Sequence, residues 1–315
     1  MARHLLLSKP LARALPALGR AVQVVEGLML QALVALLRAL PMGAAFGLAR
    51  GTLRLLGPLT PMWEKVGRNH AIAFPGLAPS ERQRLRRETF AFLGESIAEL
   101  VLAPRIWEES AQRIEWQVDP AVQDLLEAGK PLVMVTGHVG AWQLTNLVSR
   151  RWNIGLCSLY AEESNPRLAA LLLSLREGLG ARWRPSAGGI RTLLEELRAG
   201  HSVGLACDTR MDQGEELPFL GQTVLGNTVP ARLALRTGCP LVPVLAERLP
   251  GRRYRISVQA PVEPDEAGVT DTERARAMSA RLMTRFESWV RARPAEWMCL
   301  ARRFPKALDK SVRGS

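Results

Sequence analysis

From residue 131 onward the chain alternates two rhythms that few architectures satisfy together. The apolar runs "PLVMVT", "IGLCSL", "SVGLAC", "LVPVL" and "YRISVQ" read as strands, and the windows 141–151, 166–179, 188–199, 229–237 and 272–293 between and after them read as helices. Strands that alternate with helices predict an α/β fold: a mostly parallel central sheet flanked by helices. At 315 residues the chain can bury a large core, and one main domain fits it. The expected division is 1–57 as N-terminal membrane-associated helices, 58–305 as the α/β domain, and 306–315 as a loose tail.

In such a sheet, ligands gather beyond the carboxyl ends of the strands, where loops converge and helix N-termini point their amides inward. "PLVMVT" runs into the stretch "TGHVGAWQL" at 136–144, which holds one of only four histidines, and "SVGLAC" runs into Asp208-Thr209-Arg210. If both strands are parallel, His138 and Asp208 emerge on one edge. Gly137 and Gly140 leave room there for close backbone approach. A neutral imidazole takes a proton from a hydroxyl when its other nitrogen is held by an acceptor, and Gln143, one turn into the expected helix, occupies a place from which to fold back. An isolated histidine could equally be a capping or core residue.

Residues 17–40, "ALGRAVQVVEGLMLQALVALLRAL", form the most apolar stretch, yet at 100° per residue Arg20, Gln23, Gly27, Gln31 and Arg38 fall on one narrow face. This predicts an amphipathic helix lying in a membrane interface; a short transmembrane span and a buried core helix are the other readings. A second apolar helix is expected over 45–57. After the loop "FPGLAPSE", Ser80 is a candidate N-cap for the helix "ERQRLRRETFAFLGESIAELVL". The opening "MARHLLLSKP" has too short an apolar core for a secretory signal.

The net charge of +12, from 42 Lys+Arg against 30 Asp+Glu, is spread along the chain and points to an anionic partner. Nucleic acid is disfavoured, since zinc-finger spacing and RNP-like aromatic motifs are absent and Phe plus Tyr number nine. Cys157, Cys207, Cys239 and Cys299 lie far apart, so neither a disulfide framework nor a metal site is indicated, and a reducing cytoplasm fits.

Several ordered segments resemble the lipid A biosynthesis acyltransferases, the lauroyl and myristoyl transferase family within the lysophospholipid acyltransferase superfamily. They are "GRNHAIAFPGLAPSER", "GKPLVMVTGHVGAWQL", "NPRLAALLLSLREGLG", "GHSVGLACDTR", "LPFLGQTVLGNTVPARLALRTGCPLVPVLAER" and "RARPAEWMCLARRFPK". The resemblance implies an enzyme of the bacterial inner membrane, cytoplasmic face, that needs no cofactor. It would move a fatty acyl chain from an acyl-carrier-protein thioester to a hydroxyl of a lipid A precursor-like glycolipid. Carried over, His138 is the general base, Arg176 and Asp208 are site residues, and Pro218, Phe219 and Gly221 shape a substrate pocket, with Arg210 nearby.

The departure is Gln143, where the family's His-x4-Asp/Glu motif has an acid. An amide carbonyl can fix the tautomer but cannot stabilise the imidazolium. Asp208 and Glu247 are the candidates to supply that charge through space, Asp208 first. The alternative is a catalytically altered relative that binds lipid or transfers another group, such as an aminoacyl unit.

Overall fold

The computed structural model describes residues 16–161, 163, 165–264 and 270–311; the opening decapeptide and residues 312–315 of the expected tail lie outside them. The α-helices of five residues or more are α1 (Pro16–Ala39), α2 (Met42–Leu56), α3 (Met62–Ala73), α4 (Pro79–Glu108), α5 (Pro120–Glu127), α6 (Val148–Trp152), α7 (Pro166–Glu177), α8 (Gly189–Arg198), α9 (Val229–Thr237), α10 (Asp271–Ala292) and α11 (Lys306–Ser311). The strands are β1 (Ile114–Val118), β2 (Val133–Thr136), β3 (Leu156–Tyr160), β4 (Arg182–Pro185), β5 (Ser202–Ala206), β6 (Glu215–Phe219), β7 (Gln222–Gly226), β8 (Leu241–Leu249) and β9 (Arg253–Val258).

Seven strands form one sheet in the order β1-β9-β8-β2-β5-β3-β4, and β6 and β7 make a separate hairpin. Every pairing in the large sheet is parallel except β8 with β9, which a tight turn joins as antiparallel neighbours. All four residues of β2 are buried, and successive side chains enter different cores. Met134 joins a cluster with Val101, Ile106 and Leu144, while Val133 and Val135 join one with Leu193, Leu282 and Phe286. A strand covered on both faces needs apolar residues at every position, which is why "VMV" reads as an unbroken run. Each such side chain contributes roughly 1.5–3 kcal/mol on burial.

Four local expectations are corrected. The window 141–151 is a 3-10 segment, Trp142–Leu147, followed by the single turn of α6. Thr145 Oγ1 donates to Trp142 O at 2.7 Å and Asn146 Nδ2 to Gln143 O at 3.0 Å, so short polar side chains draw off the carbonyls and hold the tighter winding. At α4 the cap is Ala78 rather than Ser80: Pro79 takes the first helical position, and the Glu81 carboxylate accepts the Ala78 N–H at 2.8 Å. The expected loose tail opens as a helix, α11, over Lys306–Ser311. Sequence patterning also passes over β1, β4 and the β6–β7 hairpin. The exposed and half-exposed "RWRP" of β4 offers no apolar run to detect.

Candidate active site

The central pair of strands builds the site. β2 and β5 are parallel neighbours whose register sets Thr136 against Ala206, so two residues beyond each strand end lie His138 and Asp208. Cys207 N donates to Thr136 O at 2.9 Å and carries the ladder one step past the strands. His138 Nδ1 then stands 2.6 Å from Asp208 Oδ1. The turn between them and the helical layer needs glycine at position 140: φ is +65°, and a Cβ there would sit 2.3 Å from Ala246 O.

Asp208 is 2% exposed, whereas a quarter of the His138 side chain reaches solvent. Burial alone would push the imidazole down, but the Asp208 charge and hydrogen bond outweigh it and hold His138 above its usual value. Burial likewise opposes ionisation of Asp208, and His138, with help from Arg303, brings its carboxyl below the usual range. The carboxylate facing Nδ1 selects the tautomer with the proton there and leaves Nε2 its lone pair. That is the arrangement of a general base with an ionised partner.

His138 lines a cleft of about 550 Å³ whose walls mix apolar and aromatic side chains, among them Trp142, Tyr160, Trp183, Ile190 and Met211. The Trp142 ring centre lies 4.6 Å from that of His138. Arg176, in the last turn of α7, lines the same cleft, with its guanidinium 5.4 Å from the Tyr160 ring centre and 5.9 Å from that of Trp183. Trp183 Nε1 donates to Arg176 O at 2.9 Å and fixes that aromatic wall. Burial lowers the basicity of Arg176, with the Glu163 charge acting against it. A half-buried cation beside two π faces, opening on a cavity, is suited to an anionic group on a ligand.

Gln143 is placed differently from its expectation. Its Nε2 donates to Ser96 O on α4 at 3.2 Å, and the acceptor on His138 is Asp208. The 3-10 winding of 142–147 removes the helical turn that was expected to bring it back. Glu247 is held by Arg293 at 2.8 Å, and Arg210 by Asp212 at 2.7 Å. Pro218, Phe219 and Gly221 belong to the β6–β7 hairpin and lie outside the lining of the cleft: Phe219 is fully buried and packs edge-on against Trp297, and Gly221, at φ +74°, makes the tip.

Sequence reasoning did not single out Trp142, Tyr160 and Trp183, although Trp142 stands inside the motif around His138. It also passed over Arg248, buried beneath the turn, which contacts Glu99 at 2.7 Å, Glu296 at 2.8 Å and Ser96 Oγ at 2.8 Å.

A family model described as Bacterial lipid A biosynthesis acyltransferase matches residues 22–306. A phosphatidylinositol mannoside acyltransferase of Mycobacterium tuberculosis (strain CDC 1551 / Oshkosh) is 29% identical over 196 residues, 60% of this chain and 59% of that protein. Its namesake in Mycolicibacterium smegmatis is 27% identical over 184 residues, 56% of this chain and 57% of that protein. The match therefore spans somewhat less than two thirds of the length of these relatives. A solved 1-acyl-sn-glycerophosphate (LPA) acyltransferase from Thermotoga maritima is 14% identical, with 78% of this chain and 98% of that one covered at a TM-score of 0.37.

Proposed function

The chain belongs to the bacterial lipid A biosynthesis acyltransferase family, and from that premise we propose that it transfers a fatty acyl chain from a thioester to a hydroxyl of a glycolipid. The observation that carries this reading is the His138–Asp208 contact at 2.6 Å, with the ring facing a large, mostly apolar cleft. Nε2 takes the proton as the acceptor oxygen attacks the thioester carbonyl, and the Asp208 carboxylate stabilises the imidazolium that results. Collapse of the tetrahedral intermediate breaks the carbon–sulfur bond. The proton passes from His138 to the departing thiolate, and an ester and a free thiol are released.

Arg176 binds an anionic group of donor or acceptor within that cleft, and the aromatic and aliphatic walls take apolar chain or sugar faces. The donor is carried by an acyl-carrier protein, whose acidity suits a chain of net charge +12. The acceptor is a lipid A precursor or another glycolipid, such as the phosphatidylinositol mannoside that names the mycobacterial relatives. The altered-enzyme alternative drew on Gln143; with Asp208 on the base, the amide no longer argues for it.

We assign the protein to a membrane surface, the cytoplasmic face of the inner membrane. Ala21–Ala39 is long and apolar enough to cross a bilayer, but its exposure supports an interfacial role. Val34 and Leu37 are buried in the core beside α2 and α4, and Glu26, 3% exposed, stands 3.2 Å from Asn165 Nδ2 at the start of α7. A helix seated in this way on the folded domain would have to draw that domain into lipid in order to span. Ten of the twelve exposed large hydrophobics among the described residues lie between Val24 and Leu59, which gives the helix pair an apolar outer face for the interface.

The test is acyl transfer from a long-chain acyl thioester to phosphatidylinositol mannoside or a lipid A precursor by the purified protein on anionic vesicles. His138→Ala is expected to lower turnover about 10³-fold, within the range general base catalysis supplies. A variant that keeps a tenth of the activity removes His138 as the base.

A further inference from the structure

We infer that Trp297 is a positioning residue for the reaction: its indole N–H holds the Asp208 oxygen that His138 does not use, and its chain segment is fastened to the backbone of the catalytic turn. The inference rests on the His138–Asp208 reading and extends it to a residue outside the lining of the cleft.

A buried carboxylate has two oxygens to satisfy, and one donor fixes its position only loosely. On Asp208, Oδ1 meets His138, and Oδ2 accepts from Trp297 Nε1 at 3.2 Å. The indole is 1% exposed and has little freedom to turn. Its ring centre lies 5.8 Å from Phe219, 6.4 Å from His70 and 6.5 Å from Phe304.

The backbone joins the same two regions. Val139 and Trp297 form an isolated antiparallel bridge, and Met298 N donates to His138 O at 2.8 Å. The segment that carries the indole thus runs along the residue that carries the base. It is clamped in turn by Asn69 of α3, whose Nδ2 donates to Cys299 O at 2.8 Å and Ala301 O at 2.7 Å and whose Oδ1 accepts from Arg303 N at 3.1 Å. One amide uses its donors and its acceptor to pin a strand-like strap more than 200 residues away in sequence, a placement that makes sense if the position of the strap matters.

The sign of the effect follows from the charge. A donor on Oδ2 withdraws negative charge from the carboxylate and keeps it from binding the imidazolium too tightly. Removing it leaves a more basic Asp208 and a His138 that holds its proton to higher pH. In Trp297→Phe the aromatic filling stays and the N–H goes. On a long-chain acyl thioester, kcat is expected to fall about tenfold, with KM within about twofold and the acidic limb of the kcat profile moved up by about half a pH unit.

Phe219→Leu is the control, since it loosens packing on the same indole but keeps the donor; its limb should stay where the parent's lies. A limb in Trp297→Phe that coincides with the parent's, or an equal displacement in Phe219→Leu, makes Trp297 a packing residue and overturns the inference. Should Trp297→Phe not fold, Trp297→benzothienylalanine, with sulfur in place of the indole N–H, keeps the bicyclic ring and removes only the donor. An upward displacement in the folded protein supports the inference, and an unmoved limb overturns it. His138→Ala run alongside separates the two readings: activity there sinks the base itself, whereas an inactive His138→Ala beside an unaltered Trp297→Phe profile sinks only the role of Trp297.

Discussion

Two histidines lie near Trp297, His70 against its ring and His138 joined to it through Asp208, and their surroundings drive them in opposite directions. His138 has a carboxylate at 2.6 Å and is held above the ordinary imidazole value in spite of burial. His70, on α3, is fully buried with the Thr89 hydroxyl 3.5 Å from Nε2; burial, reinforced by the Arg86 charge, drives it down to about 3. The difference teaches that burial by itself makes a histidine a neutral spacer, and that a base able to carry the proton in transit needs an ionised partner. Position along the sequence says nothing of this, for both stand beside an asparagine or glycine in plausible motifs.

The comparison breaks most sharply at the partner. Asp208→Asn is expected to cost about 10³–10⁴ in turnover, as acid-to-amide changes beside a catalytic imidazole do. At the same time His138 should become more like His70: without the carboxylate, burial dominates, and the acidic limb of the rate profile moves to lower pH. The variant would then hold its base neutral over a wider range and still be slow, which isolates stabilisation of the imidazolium as the missing element. A profile that moves upward, or turnover within tenfold of the parent, would separate Asp208 from the base.

Stability sharpens the same contrast with opposite signs. The native state leaves His70 unprotonated down to about pH 3, while the unfolded chain takes up a proton near 6.5, so stability falls as pH drops through that window. Replacing His70 by Phe should flatten the slope by up to about 1.4 kcal/mol per pH unit, read from denaturant midpoints between pH 6 and 4. His138, with its raised native value, contributes stability that is fully present below about 6.5 and is lost as pH rises through the native value. His138→Ala should therefore alter the slope on the neutral side, and on the acid side as well, because Asp208 loses the partner that holds its carboxyl low. A His70→Phe protein whose acid slope matches the parent's would place the acid sensitivity elsewhere.

How much of this could be read beforehand depended on the range of the forces involved. The strand ends at Thr136 and Ala206 were legible because each follows an apolar run, "VMV" in β2 and "VGLA" in β5. That 138 and 208 share an edge followed from parallel strands; that Nδ1 meets Oδ1 did not, since register is a property of the pair of strands. The expectation for Gln143 failed over a shorter distance: five residues suit a helical return, but Thr145 and Asn146 bind nearby carbonyls and wind the segment as a 3-10 helix. β4 escaped notice because its sequence, "RWRP", is recruited by β3 rather than driven by its own pattern. Trp297 carries no local signal for its bond to Asp208, 89 residues away, and only the folded chain brings the two together.

The smallest effect belongs to the position where the family motif has an acid. In Gln143→Glu the side chain would aim a carboxylate oxygen at the Ser96 carbonyl, which now accepts from the amide at 3.2 Å. Ser96 Oγ in turn accepts from Arg248, a cation already shared among Glu99, Glu296 and, at 3.5 Å, Glu95. Burial outweighs the pull of Arg248 and holds the Glu99 carboxyl above its usual value, so this corner has no spare positive charge for another acid. The substitution should therefore cost about 1 kcal/mol of stability, the low end of the penalty for a buried polar pair turned repulsive, since the Gln143–Ser96 pair is only part-buried. Turnover should stay within about threefold of the parent, because Asp208 already fills the place on Nδ1. A tenfold gain in Gln143→Glu would mean that the base lacks its proper partner in this chain, and that the His138–Asp208 contact is a neighbouring pair with no share in the chemistry.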